Sequence, residues 1–368
     1  MPSRLRLTAI ATNITRGVGD LPMFEPFATL GGRPTGPRAL RLRQSPHFRD
    51  GVFRNNTPTR TLLPREVMGA LRGFLTHRRQ RHLSGVIPVD RPPTGPASDG
   101  LHLTWYGHAT GLIEIEGRRV LLDPLWSDRG SPVPGVGPKR LHPMPVALAD
   151  MPRLDAIVIS HDHYDHLDMP TIRALNRTQE AMFVVPLGVG AHLECWGVPG
   201  TRIVELDWDE SAEVGGLTLT ATESRHFSGR TFVGSNETLW SSWVIAGKHR
   251  RVFYTGDSGF FDGYGDIGER HGPFDVTLMQ IGAYDNAWPD IHMLPEQAVE
   301  AHVRLRGSLL IPVHWGTFHL APHPWVEPVE RLWAEAKARN VTIAVPRPGE
   351  RVDADTPPEV DPWWRVLS

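Results

Sequence analysis

The 368-residue chain has a single cysteine, Cys195, so it can form no internal disulfide and can build no thiolate zinc cluster. Long apolar runs are missing as well. No window reaches the roughly 18 uninterrupted apolar residues of a membrane span, and Met1-Pro2-Ser3-Arg4-Leu5-Arg6 is not followed by the apolar core of a signal peptide. These absences predict a cytoplasmic location. Lysine is nearly absent, at three against 36 Arg. No single site demands that many guanidinium groups, so coding bias is the simplest account. What is present, 40% hydrophobic residues and a mean hydropathy of −0.27, suits one large or two ordinary domains with a sizeable core.

The net charge of −2 conceals a division. Residues 1–100 hold 16 Arg, no Lys and six acids, for +10, and the remainder carries −12. A segment this basic either meets phosphates or an anionic membrane surface, or docks on the acidic remainder of its own chain. Residues 1–60 are broken by Gly and Pro, as in Gly31-Gly32-Arg33-Pro34-Thr35-Gly36-Pro37, and read as an extended arm. From Pro64 to His82, Val67, Leu71, Phe74 and Leu75 recur at helical spacing among Arg65, Arg72, Arg78, Arg79 and Arg81. This predicts a basic amphipathic helix, packed on the core or lying peripherally on a membrane. Pro88 to Gly100 reads as a linker, which divides the chain into an arm over 1–99 and a larger domain over 100–368.

Short β-type runs follow, among them 101–105, 112–115, 119–122, 154–159, 183–185, 217–220, 243–245, 252–254, 276–279 and 309–313, with helical segments at 168–178, 295–305 and 325–339. Strands with interspersed helices imply sheets covered by helices. The densest chemistry lies just after the fourth run. Ser160-His161-Asp162-His163-Tyr164-Asp165-His166-Leu167-Asp168 places three imidazoles and several carboxylates within eight residues. Neutral imidazole and carboxylate are the ligands that divalent cations select, so the run reads as a metal site on the loop leaving a strand. His226, Asp257 and His314 also follow β-type runs, with glycine nearby.

Together these segments resemble the metallo-β-lactamase superfamily, and within it the branch containing N-acyl-phosphatidylethanolamine-hydrolysing phospholipase D. The resemblance rests on Gly107-His108-Ala109-Thr110, Leu122-Asp123-Pro124, Gly137-Pro138-Lys139-Arg140, the His161–Asp168 run, Trp240-Ser241-Ser242-Trp243, Gly256-Asp257-Ser258-Gly259, Gly272-Pro273-Phe274-Asp275, Ile281-Gly282-Ala283-Tyr284 and His314-Trp315-Gly316-Thr317-Phe318. It implies a four-layer αββα sandwich. It also implies one metal on His161, His163 and His226, a second on Asp165, His166 and His314, and Asp257 bridging them, with Asp257 and Asp165 as the catalytic carboxylates. Two divalent cations, zinc by preference and iron or manganese alternatively, would then share a hydroxide as nucleophile.

Asp162, Asp123 and His108 are candidates to support that site, and Asp162 and Asp168 could instead cap the helix that begins near Pro170. Tyr284, Trp288 and His292 are candidate pocket residues, with Met293, Trp315, Phe318 and Trp325 as further apolar possibilities. The segment from Tyr284 to His292 is shorter than the corresponding loop of the phospholipase, so its pocket is expected to differ. The leading expectation is hydrolysis of a small-molecule or lipid phosphodiester. A lactonase or β-lactam hydrolase of the same fold is the alternative, since the fold does not choose the scissile bond. A metal-binding or membrane-scaffold protein without turnover would leave a complete ligand set unexplained. Nucleic acid is a poor fit, because the catalytic region is acidic and no added binding domain is visible.

Overall fold

The computed structural model describes residues 28–76, 83–93, 95, 97, 99–133, 135–230 and 235–367. A small hairpin of β1 (Phe48–Arg49) and β2 (Val52–Phe53) precedes two seven-stranded sheets. The first sheet runs in chain order through β3 (Leu101–Gly107), β4 (Thr110–Ile115), β5 (Arg118–Leu122), β6 (Ala156–Val158), β7 (Met182–Pro186) and β8 (Ile203–Leu206). The second runs through β9 (Ser211–Val214), β10 (Leu217–Thr222), β11 (Ser242–Ala246), β12 (Arg251–Tyr254), β13 (Phe274–Gln280), β14 (Gly307–Val313) and β15 (Thr342–Ile343). The late strand β16 (Arg351–Asp353) returns to pair with β3 at the edge of the first sheet. Each sheet has three antiparallel pairings followed by three parallel ones. The two halves therefore share a topology that no sequence repeat reveals.

Alternation along the strands sets the layers, because successive side chains point to opposite faces. Leu101, Leu103 and Trp105, Ile113 and Ile115, Val120 and Leu122, and Ala156 and Val158 join the core shared with the second sheet. Leu112, Leu121, Ile157, Phe183 and Val185 face the other way, against Ile172, Leu175 and Leu193 of the helices Met169–Thr178 and Gly190–Cys195. Strands buried on both faces read as continuous apolar runs, and parallel neighbours need helical crossovers. The helices Gly263–His271, Pro295–Arg304 and Glu327–Ala338 supply those crossovers for the second sheet. The result is the αββα sandwich.

The arm departs from the extended segment expected of it. It contains a helix over Gly36–Gln44 as well as the hairpin. Its arginines reach the chain's own acids: Arg38 pairs with Glu194 and Glu205, Arg41 with Glu210, and Arg60 with Asp290. Ile87, just before the expected linker, is fully buried in the core. The amphipathic helix spans Pro64–Thr76; Arg78, Arg79 and Arg81 lie outside the described residues. Among the described residues, no helix is long and apolar enough to cross a membrane.

Candidate metal centre

Strand register delivers the site to one end of both sheets. Leu122 pairs with Val158, so Asp123 and the Ser160–His166 loop leave β5 and β6 side by side. Tyr254, Leu278 and Ile311 are likewise in register across β12, β13 and β14, so Asp257 and His314 each follow three residues beyond an aligned row. His226 lies four residues past the end of β10 and His108 one past β3. His108, Asp123 and His314 all have positive φ, at 53°, 35° and 62°. A left-handed backbone is costly for residues with a Cβ, and here it turns side chains inward at strand ends. Gly256 needs its glycine for a different reason: a Cβ there would lie 2.5 Å from that of Ser160.

The seven expected ligands converge. His163 Nδ1 lies 2.8 Å from His161 Nε2 and 3.3 Å from His226 Nε2. Across the site, Asp165 Oδ2 lies 3.7 Å from His166 Nε2 and 3.5 Å from His314 Nε2. Asp257 Oδ2 stands between the two groups, 3.2 Å from the Nε2 atoms of His166 and His314, 4.0 Å from that of His161 and 3.9 Å from that of His226. These atoms form sets able to hold a metal ion. His166 Nε2, His314 Nε2 and Asp257 Oδ1 are buried without a hydrogen-bond partner in the protein, which native interiors rarely tolerate. An imidazole and carboxylate donor set with inward-facing orphan atoms fits divalent cations.

Charge at the site points the same way. Burial, reinforced by neighbouring imidazoles, holds His161 well below the ordinary histidine range, and burial does the same to His226. Burial also disfavours charge on His166 and His314, but Asp257 and other acid partners outweigh it and draw both upward. Metal binding to these rings requires their Nε2 atoms to be free of protons, so the pull of the carboxylates and the binding of a cation compete.

The supporting candidates separate. Asp123, fully buried, accepts from Ser160 N–H at 2.7 Å, from Ser160 Oγ, from Tyr254 Oη and from His166 Nδ1 at 2.7 Å, turning that ring's Nε2 inward. The Ile291 carbonyl does the same for His226 Nδ1 at 3.0 Å. His108 Nε2 lies 2.9 Å from Asp165 Oδ2, and burial, then His314, pushes His108 down to about 3. Among the described residues, the hydrogen bonds of the Asp162 side chain go elsewhere than to the clustered rings. Its carboxylate instead accepts from Gly229 N–H at 2.7 Å and Thr238 Oγ1 at 3.0 Å and lies 3.3 Å from His192 Nε2, tying the ligand loop to a neighbouring segment. Asp168 caps the helix Met169–Thr178 by accepting from Thr171 N–H.

A cavity of about 270 Å³ opens onto the cluster, walled by Phe227, Trp288, Ile291, His292, Leu320 and, from the arm, Thr61. Trp288 and His292 therefore lie where the sequence pointed. Tyr284 does not: its ring is buried against His323 and its hydroxyl donates to Glu327, so it lines the groove beside the arm helix. Trp315 and Trp325 are core residues, Trp315 stacked on Trp105 at 5.6 Å, and Phe318 sits edge-on to His108. Phe227 was not among the expected pocket residues, although its place beside His226 was a signal for it. Thr61 carried no signal, because only folding brings the arm here.

A model of the beta-lactamase superfamily domain matches residues 118–315. The chain belongs to that superfamily and is a metal-dependent hydrolase of the metallo-β-lactamase fold. Within it, the chain falls in the branch of N-acyl-phosphatidylethanolamine-hydrolysing phospholipase D. The enzyme of that name, number 1, from Caenorhabditis elegans is 38% identical over 256 residues, covering 66% of this chain and 72% of that one. The uncharacterized protein Rv0906 of Mycobacterium tuberculosis is 53% identical over 370 residues, 98% of this chain and 99% of its own. In fold, an isothiocyanate hydrolase from Delia radicum gut bacteria is similar with a TM-score of 0.54 at 19% identity, over 68% of this chain and 98% of that one.

Proposed function

We propose that this protein is a binuclear metal-dependent phosphodiesterase of phospholipase D type. His161, His163 and His226 would hold one divalent cation, Asp165, His166 and His314 a second, and Asp257 would serve both. Zinc suits this donor set best, with iron and manganese also compatible. The observation that carries the reading is the position of Asp257, one oxygen of which lies 3.2–4.0 Å from the Nε2 atoms of four histidines drawn from both groups. When bound, paired cations polarise a phosphoryl group and bring water's pKa toward neutrality.

The chain's own residues supply the rest. Asp123 and the Ile291 carbonyl keep His166 and His226 in the tautomer whose Nε2 faces inward. His292, which burial pushes down to about 4, is a neutral ring at neutral pH. Its Nδ1 is 3.9 Å from Asp257 and it lines the cavity, where it can hydrogen-bond a phosphoryl or leaving-group oxygen. Phe227, Trp288 and Leu320 give the cavity an apolar wall. A phosphodiester is favoured over a carbonyl substrate by the 38% identity to the worm phospholipase. Membrane contact through the helix Pro64–Thr76 is part of the reading: Met68 and Leu71 on the helix, and Leu62 just before it, are more than half exposed.

Metal-replete protein, expected to carry about two equivalents by elemental analysis, should be offered four substrates in parallel. Turnover of bis-p-nitrophenyl phosphate and N-acyl-phosphatidylethanolamine is expected. Cleavage of a lactone or β-lactam with both phosphodiesters untouched would replace this reading with a lactonase or β-lactam hydrolase. No turnover at full metal loading would leave a metal-binding or scaffold protein.

A further inference from the structure

The arm does more than cover the catalytic body, because one of its side chains brackets the main chain of His226 from 171 residues away. Asn55 Nδ2 donates to the His226 carbonyl at 2.8 Å, and Asn55 Oδ1 accepts from the His226 N–H at 3.2 Å. The same Oδ1 accepts from Trp240 Nε1 at 3.1 Å, and Trp240 is fully buried. His226 is therefore held at three points: both of its backbone groups by Asn55 and its Nδ1 by the Ile291 carbonyl. Only Nε2 is left to face His163 and Asp257. No regular strand holds this residue, since β10 ends at Thr222. The asparagine stands in for the ladder hydrogen bonds that a strand neighbour would have made.

We propose that Asn55 is a positioning residue of the metal centre, setting the affinity of the cation held by His161, His163 and His226. The proposal rests on the ligand role of His226. Removing a partner that orients a metal ligand typically lowers affinity about 10–100-fold. Here the loss should be confined to one of the two sites, because Asn55 has no contact with Asp165, His166 or His314 among its hydrogen bonds.

The test is competition titration of zinc against a chromogenic chelator, resolving two dissociation constants for wild type, Asn55→Ala, Asn55→Asp, Asn56→Ala and His226→Ala. Asn55→Ala is expected to weaken one constant about 10–100-fold and to leave the other within twofold of wild type, which a general loosening of the arm would not do. Asn55→Asp keeps the acceptor but sets a carboxylate oxygen against the His226 carbonyl, and should weaken the same constant, so the proposal stays testable if the alanine variant does not fold. Asn56→Ala cuts a different arm-to-body bond, from Asn56 Nδ2 to Glu223 at 2.9 Å, and should change neither. Equal weakening of both constants in the folded Asn55 variants, or no weakening in either, overturns the proposal. If His226→Ala itself leaves both constants at wild type, the ligand assignment falls instead.

Discussion

Replacing Asp123 with Asn keeps the shape of the side chain and removes one of two acceptor oxygens at a fully buried position. Three donors, Ser160 Oγ, Tyr254 Oη and His166 Nδ1, converge on Oδ2, while Ser160 N–H occupies Oδ1. The amide nitrogen must therefore face at least one donor, whichever way the group turns. A hydrogen bond to a charged group contributes about 1.5–3 kcal/mol, so the loss of one or two predicts a destabilisation of about 1.5–6 kcal/mol. Most of that range lies below the roughly 5–15 kcal/mol stability of ordinary proteins, so a folded variant is expected. Because His166 loses its orienting partner, metal affinity should also drop about 10–100-fold. Tyr254→Phe is the companion variant. It removes one donor but leaves the bond to His166, and should destabilise by about 1–3 kcal/mol with metal affinity close to wild type. Urea unfolding of the metal-free proteins and zinc competition on the same samples separate the two quantities. Unchanged affinity in Asp123→Asn, or an equal affinity loss in Tyr254→Phe, would refute the idea that Asp123 acts through His166.

Asp257→Ala should abolish turnover of a soluble phosphodiester while circular dichroism reports a folded protein; full activity would remove Asp257 from the centre. Asp168→Ala should cost about 0.5–2 kcal/mol of stability through the lost helix cap and retain measurable turnover, since its carboxylate bonds Ser127 and Thr171 and none of the clustered histidines. Replacing Arg72, Arg78, Arg79 and Arg81 together with Gln should weaken binding to anionic liposomes at low salt, each residue contributing about 1 kcal/mol, and leave cleavage of a soluble phosphodiester intact. Equal co-sedimentation of the two proteins would assign the helix to packing alone.

The candidate donor side chains were legible because each stands in a recognisable local pattern. His161, His163, Asp165 and His166 occupy one loop, and His226, Asp257 and His314 each follow a β-type run whose apolar pattern marks where the strand stops. The strands buried on both faces were visible for the same reason, since continuous apolar runs need no knowledge of partners. The short edge strands β8, β9, β15 and β16 were not, because two to four residues carry no period and the pairing of an edge strand is supplied by its neighbour in the sheet. The arm was misjudged likewise: Gly and Pro hid a helix and hairpin whose stability comes from packing on the body.

Residue types and their spacing along the chain thus determined that sheets are covered by helices and which side chains could serve as metal donors, because donor chemistry and strand alternation are properties of short segments; the four-layer sandwich and the division of the donors between two cations came from the family resemblance. Which carboxylate supports which imidazole could be decided only in three dimensions. Asp162 and Asp123 are both aspartates near the cluster, yet strand register aims Asp123 at His166 and turns Asp162 toward His192 and Thr238. The structure alone also places Asn55 and Thr61 of the arm at the centre and withdraws Tyr284 from it. Contacts between residues more than 150 positions apart depend on how two sheets and an arm pack together, and no local pattern encodes that.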